Sequence, residues 1–119
     1  MNTSKVDHID ITATMVRLYV FLSQYLDRCV NEAARAAYPE ADLQAHLAAT
    51  RGQWLDIVAV NPVVKGKVTE ECNRVLAIGA ACLKGGDKSA AMEALNAERA
   101  VLRHKTIALS DLLAVFRAL

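Results

Sequence analysis

Apolar residues recur along this chain at intervals of three and four, the period of an α-helix with one buried side. The first segment carries six of them in a 4-3-4-3-4 spacing: Ile11, Met15, Leu18, Leu22, Tyr25 and Cys29. A second set near the C-terminus recurs every seven residues: Leu95, Leu102, Leu109 and Phe116. This spacing is typical of helices that pack side by side in a left-handed bundle.

Proline and glycine divide the pattern into segments. Tyr38-Pro39 ends the first, because a residue before proline disfavours helical geometry. Asn61-Pro62 resembles a helix start, with Asn61 as N-cap. Gly85 and Gly86 end the third segment, and they predict a left-handed Gly85. The predicted helices cover about 11–37, 42–60, 62–84 and 88–118.

Two residues are candidate caps for the first helix, and one for the last. Asp10 is a plausible N-cap of the first helix, with Thr12 as the alternative. Asp87 is expected to cap the last helix in the same way. Residues 1–9 precede the first predicted helix, and we expect them to form a flexible N-terminus.

The composition strengthens the helical interpretation. Alanine, the best helix former, occupies 21 of the 119 positions. The short connections imply that neighbouring helices are antiparallel. We therefore predict an all-α fold over residues 10–119, a single domain built as an up-down-up-down antiparallel four-helix bundle with long first and last helices.

The charge balance argues against a partner held mainly by phosphate groups. Fourteen Lys and Arg face thirteen Asp and Glu, giving a net charge of +1, whereas phosphate recognition needs a concentrated basic face. A weak basic stripe of Arg99, Arg103 and Lys105 on the last helix is the one candidate. Because Glu98 is interleaved with it, a solvated face of mixed charge is the default interpretation, and we do not expect nucleic acid as a partner.

Candidate chemistry is scarce. The stretch from Gly85 to Ser89 contains the residue types of a phosphate-binding loop, but Asp87 separates the glycines from Lys88 and a helix precedes it, which favours a simple turn. No Glu-x-x-His pair is present for a di-metal site. Glu70 and Glu71 are interpreted as solvated acids. We predict no catalytic residue, no metal and no cofactor, and hence no enzymatic activity.

Cysteine usage and hydropathy bear on where the protein works. Cys29, Cys72 and Cys82 are odd in number and have no framework spacing, which favours reduced, buried thiols. The longest apolar run, Leu18 to Leu22, is too short to span a membrane. The N-terminus lacks a signal-peptide pattern. We expect a cytoplasmic protein without a membrane partner.

The apolar residues exceed what one small core needs, so some are candidates for an interface. The seven candidates lie on the first and last helices: Tyr19, Val20, Phe21, Ile107, Leu112, Val115 and Leu119. The favoured hypothesis is a non-enzymatic interaction module (adaptor, regulator or small chaperone) that forms a homodimer. Three alternatives stay open: burial of all seven in the core, a nucleic-acid-associated regulator, and a small-molecule site lined by Trp54, Tyr25 and Met15.

Overall fold

The computed structural model describes residues 5–35 and 38–119, and within these ranges it contains four helices and no strand. The helices are α1 (Lys5–Ala33), α2 (Glu40–Ala59), α3 (Pro62–Leu83) and α4 (Ser89–Ala118). The prediction of an all-α four-helix bundle with long first and last helices is confirmed.

Contacts between helices give the order of packing. Asp10 of α1 meets Asn61 at the start of α3, and Tyr25 meets Leu76 further along both helices, so α1 and α3 run parallel. Asp27 of α1 pairs with Arg99 of α4, so α4 runs the opposite way. The two parallel helices α1 and α3 touch each other, whereas α2 and α4 have no contact. The cross-section is therefore a rhombus with α2 and α4 at its far corners.

The start of α1 differs from the prediction. The helix begins at Lys5, so Asp10 and Thr12 lie inside it and neither is its N-cap. Residues 5–9, expected to be flexible, are helical, while residues 1–4 lie outside the described residues. The physical reason is tertiary support, because the His8 ring lies 5.3 Å from the Phe116 ring of α4.

The end of α1 and the start of α2 also differ. The first helix ends at Ala33, several residues before the predicted end, and residues 36 and 37 lie outside the described part. The second helix begins at Glu40, immediately after Pro39. Proline at the N-terminal boundary is compatible with this early start, since its fixed φ suits a helix and no amide hydrogen is left unpaired.

The two other connections follow the sequence more closely. Asn61 caps α3 as predicted, its side chain accepting a hydrogen bond from the Val63 amide at 3.1 Å. Asp87 accepts from the Ser89 amide at 2.9 Å, although the helix itself begins one residue later than predicted. The left-handed residue is Gly86, with φ of 97°, and the expectation for Gly85 was wrong.

A continuous apolar core runs between the helices. One side of α3 is buried along its whole length, and its residues are Val64, Val68, Cys72, Val75, Gly79 and Cys82. In α1, Leu18, Leu22 and Leu26 are completely inaccessible to solvent. Thr14 is a polar residue in this buried part of α1, and its hydroxyl donates to the Asp10 carbonyl at 2.8 Å.

The long helices extend beyond the short ones at one end. The molecule measures 51 × 24 × 18 Å, and α3 begins at the level of Asp10, so the first turn of α1 and the last turns of α4 continue past the α2–α3 connection. Val6 and Leu119 consequently keep 72% and 78% of their surface exposed. This geometry explains why the apolar end of the chain is not covered by the core.

Candidate functional site

One side of α4 carries an exposed, almost entirely apolar row, which we call the outer stripe. Eight of its nine residues are apolar and the ninth is histidine, and all nine are exposed. Its members are Ala90, Ala94, Ala97, Val101, His104, Ala108, Leu112, Val115 and Leu119. The outer stripe is a long and regular exposed apolar surface, and we take it as the candidate site.

The outer stripe runs straight along the helix. Its eight steps advance 29 positions from Ala90 to Leu119, about 3.6 residues per step, which is the period of a straight α-helix. At 1.5 Å per residue the stripe is about 44 Å long, and with a width of about 10 Å it covers on the order of 400 Å². Patches of this size on soluble proteins are often functional.

The position of α4 in the bundle leaves this side uncovered. Leu95, Leu102 and Leu113 point into the core. Glu98 faces α3 and Arg99 faces α1, so those two directions are occupied. The outer stripe lies on the remaining side, away from α2, which does not reach α4.

The exposed fractions of its large side chains show that the stripe is accessible. Val101 and Leu112 keep 43% and 42% of their surface exposed, and Val115 keeps 55%. Sequence reasoning included only Leu112, Val115 and Leu119 and missed the six residues before them. The signal was present in the 4-3 spacing, but the alanines were interpreted as helix formers, without regard to the surface that they share.

The remaining candidates for the interface do not join the outer stripe. Tyr19 is 4% exposed and packs against α3, so its assignment to an exposed interface is corrected. Phe21 is half-buried and lines a groove beside α2. Val20 and Ile107 are exposed, but they face each other across a separate groove between α1 and α4. The seven candidates therefore fall on four different surfaces.

The groove between α1 and α4 has a volume of about 600 Å³. Val20 and Ile107 form its apolar part, and Arg99, Arg103 and Asp27 form its charged part. Asp27 accepts hydrogen bonds from Arg99 at 2.9 and 2.8 Å, which neutralises one of the two guanidinium groups. Among the described residues that line this groove, Arg103 is therefore the one cation without an ion pair.

The predicted basic stripe is divided by the structure. Arg99 turns towards α1, where it pairs with Asp27. Lys105 turns towards α3, where it pairs with Glu71, and its ammonium group lies 5.7 Å from the centre of the Tyr19 ring. The three basic side chains therefore do not form one surface, and the weak basic stripe named as a candidate from the sequence is divided between two sides of α4.

A polar network joins α1, α3 and α4 beneath the outer stripe. The Tyr19 hydroxyl donates to Glu71 at 2.5 Å, and Lys105 donates to the other oxygen of the same carboxylate. Arg74 donates to Glu98 at 2.5 Å and also lies 3.8 Å from Glu71. Glu71 is therefore not the solvated acid that the sequence suggested, because its partners come from two other helices.

Electrostatics in this network favour fixed charges. Burial acts to raise the pKa of Glu71, but hydrogen bonds from Lys105 and Tyr19 outweigh it and lower the pKa below the ordinary value of 4.5. Burial, followed by the bond to Glu71, raises the pKa of the Tyr19 hydroxyl. The carboxylate stays ionised and the phenol stays neutral near pH 7, which suits a structural link between helices.

The residues proposed to line a small-molecule site do not meet in either of the two grooves described here. Trp54 is 4% exposed, and its indole nitrogen is buried without a hydrogen-bond partner. Tyr25 donates to the Leu76 carbonyl at 2.9 Å and stacks on His46, beside a groove of about 210 Å³. Met15 is half-buried and packs against the core. Neither Trp54 nor Met15 lines the two grooves described above.

The cysteines are free, buried thiols. Burial raises the pKa of Cys29 to about 11 and that of Cys72 to about 12, and it also raises the pKa of Cys82. A thiol with a raised pKa is a poor nucleophile, because the thiolate is the reactive form. Within residues 5–35 and 38–119, no cluster of three His, Cys, Asp or Glu side chains is arranged to bind a metal ion.

The helices of the described segments were also assessed for length and hydropathy, and none of them is long and apolar enough to cross a membrane. Comparison of the chain with models of protein families, with curated proteins and with solved structures found no match.

Proposed function

We propose that this chain is a non-enzymatic helical interaction module that assembles through the outer stripe of α4. The observation that carries the proposal is the unbroken exposure of eight apolar residues along one side of a straight helix. Burial of an apolar surface of this extent lowers the free energy of the protein in water. Because the core is already complete, the surface of a partner is what can bury it.

The apolar core is complete without the outer stripe, which supports an external role for the stripe. The apolar core already includes residues from all four helices, and α4 contributes Leu95 and Leu102 to it from the opposite side. No residue of the outer stripe belongs to that core. Substitutions on the stripe are therefore expected to change assembly and leave folding intact.

The alternative of nucleic-acid binding has less support. Two of the three basic residues on which it depends, Arg99 and Lys105, are paired with carboxylates.

We propose the cytoplasm as the location, and the free thiols of all three cysteines support a reducing compartment.

Light scattering coupled to size-exclusion chromatography, over a range of protein concentrations, tests the proposed function. We expect a species heavier than the 12.9 kDa chain that dissociates on dilution. Leu112→Lys combined with Val115→Lys should abolish it, because two desolvated ammonium groups oppose burial.

The matched control, Val20→Lys with Ile107→Lys, replaces two exposed apolar residues of the groove between α1 and α4. It should assemble like the wild type. If the control dissociates and the stripe variant does not, the assembly surface is the groove and the proposal is wrong. A chain that stays monomeric at every concentration contradicts self-assembly altogether.

A further inference from the structure

We infer that the partner of the outer stripe is the same stripe of a second copy, with the two α4 helices antiparallel and their centre beside His104. This inference rests on the proposed function and names the partner of that surface. It follows from the order of small and large residues along the stripe and from the place of its one polar residue.

The side chains of the outer stripe are small at its first three positions and large at its last three. Its N-terminal members are Ala90, Ala94 and Ala97, and its C-terminal members are Leu112, Val115 and Leu119. Antiparallel pairing places each alanine of one copy opposite a large residue of the other. Val101 and Ala108 form one more pair of the same kind, so both helices can approach closely along the whole length.

Parallel pairing lacks this complementarity. It sets alanine against alanine at one end and Leu112 against Leu112 at the other, so the helices would be forced apart where the large residues meet. A void would then open between the alanines, and side chains that line a void lose their dispersion contacts. The size pattern therefore selects the antiparallel arrangement.

The polar residue sets the register. When Ala97 faces Leu112, the midpoint of the pairing falls between residues 104 and 105, and the two His104 side chains lie next to each other on the two-fold axis. Shifting one helix by a heptad would place His104 against an apolar residue, Ala97 or Leu112. A single polar position within an apolar seam specifies register in this way.

The ion pair of Lys105 with Glu71 removes a charge repulsion beside the two-fold axis. Lys105 lies beside the two-fold axis, where its counterpart from the second copy would approach. Its ammonium group is bound to Glu71 of its own chain, so each copy presents a neutralised pair there. Two unpaired lysines at that position would oppose association.

The size of the contact predicts a reversible dimer. Two stripes of on the order of 400 Å² each bury about 800 Å² in total, below the roughly 1,200 Å² of a standard stable interface. The contact is isologous, so it closes after two copies and does not propagate into a fibre. We expect dissociation on dilution within the micromolar range, which corresponds to weak association.

Disulfide trapping of full-length variants tests this arrangement. Ala97→Cys and Leu112→Cys introduce thiols that antiparallel pairing brings together, and a bridge needs Cα atoms roughly 5.5 Å apart. Oxidation of a mixture of the two variants should give a covalent dimer, whereas each variant alone should give little. The native cysteines are buried, so the wild type serves as the blank.

A matched control uses the neighbouring side of α4. Asn96→Cys mixed with Ala114→Cys has almost the same register, but these exposed residues lie off the stripe, and the mixture should not cross-link. Cross-linking of Ala97→Cys with itself would show a parallel pair and overturn the inference. Cross-linking of the control pair at the same rate would also overturn it.

Failure of the antiparallel pairing can be distinguished from failure of the proposed function. A dimer that the Leu112→Lys and Val115→Lys variant abolishes, but that gives no bridge between positions 97 and 112, leaves the interaction module in place and removes the antiparallel pairing. A chain that is monomeric at all concentrations removes both.

Discussion

In the core, the ring of Tyr25 packs directly against Gly79. A Cβ atom placed on Gly79 would lie 2.5 Å from a ring carbon of Tyr25 and 2.6 Å from its hydroxyl oxygen. That hydroxyl donates to the Leu76 carbonyl, which fixes the ring on the surface of α3. Glycine is therefore required by the space that the ring occupies, and φ at this position is an ordinary helical one.

Gly79→Ala should lower the free energy of unfolding by about 1–3 kcal/mol, because a core that is already filled must deform to accept the methyl group. Gly66→Ala on the same helix is the control, since its added Cβ would meet no atom within 4 Å. That change should stabilise the protein by up to about 1 kcal/mol, the propensity of alanine over glycine in a helix. Urea unfolding of both variants measures the difference. Equal effects of the two substitutions would contradict the Tyr25 contact.

Helix ends depend on capping residues and also on neighbouring helices. Asn61 acts in both ways, because its side chain accepts from the Val63 amide and donates to the Asp10 carboxylate at 2.7 Å. Asn61→Ala removes both bonds, and it should lower the free energy of unfolding by about 1–2 kcal/mol. Asp10→Ala removes only the bond between helices and should cost less.

Thermal or chemical unfolding of these two variants separates the contribution of the cap to the free energy of unfolding from that of the bond between helices. Asn73→Ala provides the baseline, because this exposed asparagine of α3 lies outside both interactions and should change stability by less than about 0.5 kcal/mol. If Asp10→Ala costs as much as Asn61→Ala, the cap contributes nothing and the prediction is wrong.

Local sequence signals predicted the helix ends correctly where residues close in sequence determine them. The cap of the Asn61-Pro62 start forms within three consecutive residues, and the sequence places it correctly. The start of α1 depends on Phe116, more than a hundred residues away, so periodicity over a short window missed it. Glu71 was misassigned for the same reason, because its partners Tyr19 and Lys105 belong to other helices.

At the scale of the whole molecule, the packing of four helices determines which apolar residues remain outside. The rhombic arrangement gives α1 and α3 three neighbours each, but α2 and α4 only two. A helix at such a corner is covered over a smaller arc. The sequence predicted a surplus of apolar residues, but not the corner on which they lie, because that depends on which helices touch.

Two adjacent leucines of α4 separate folding from assembly. Leu113 is 8% exposed and buried against the bundle, whereas Leu112 is 42% exposed on the outer stripe. Leu113→Ala should lower the free energy of unfolding by about 2–4 kcal/mol at any protein concentration, since it opens a cavity. Leu112→Ala should change the stability of the dilute monomer by less than about 0.5 kcal/mol.

Unfolding measured at two protein concentrations distinguishes the two effects. If only the folded chain dimerises, the wild-type midpoint must rise with concentration. Leu112→Ala should abolish this rise without moving the midpoint of the dilute protein, and Leu113→Ala should lower the midpoint of the dilute protein. A dilute midpoint that falls for Leu112→Ala would show that this side chain supports the core, and the outer stripe would then be part of the fold instead of a surface for a second copy.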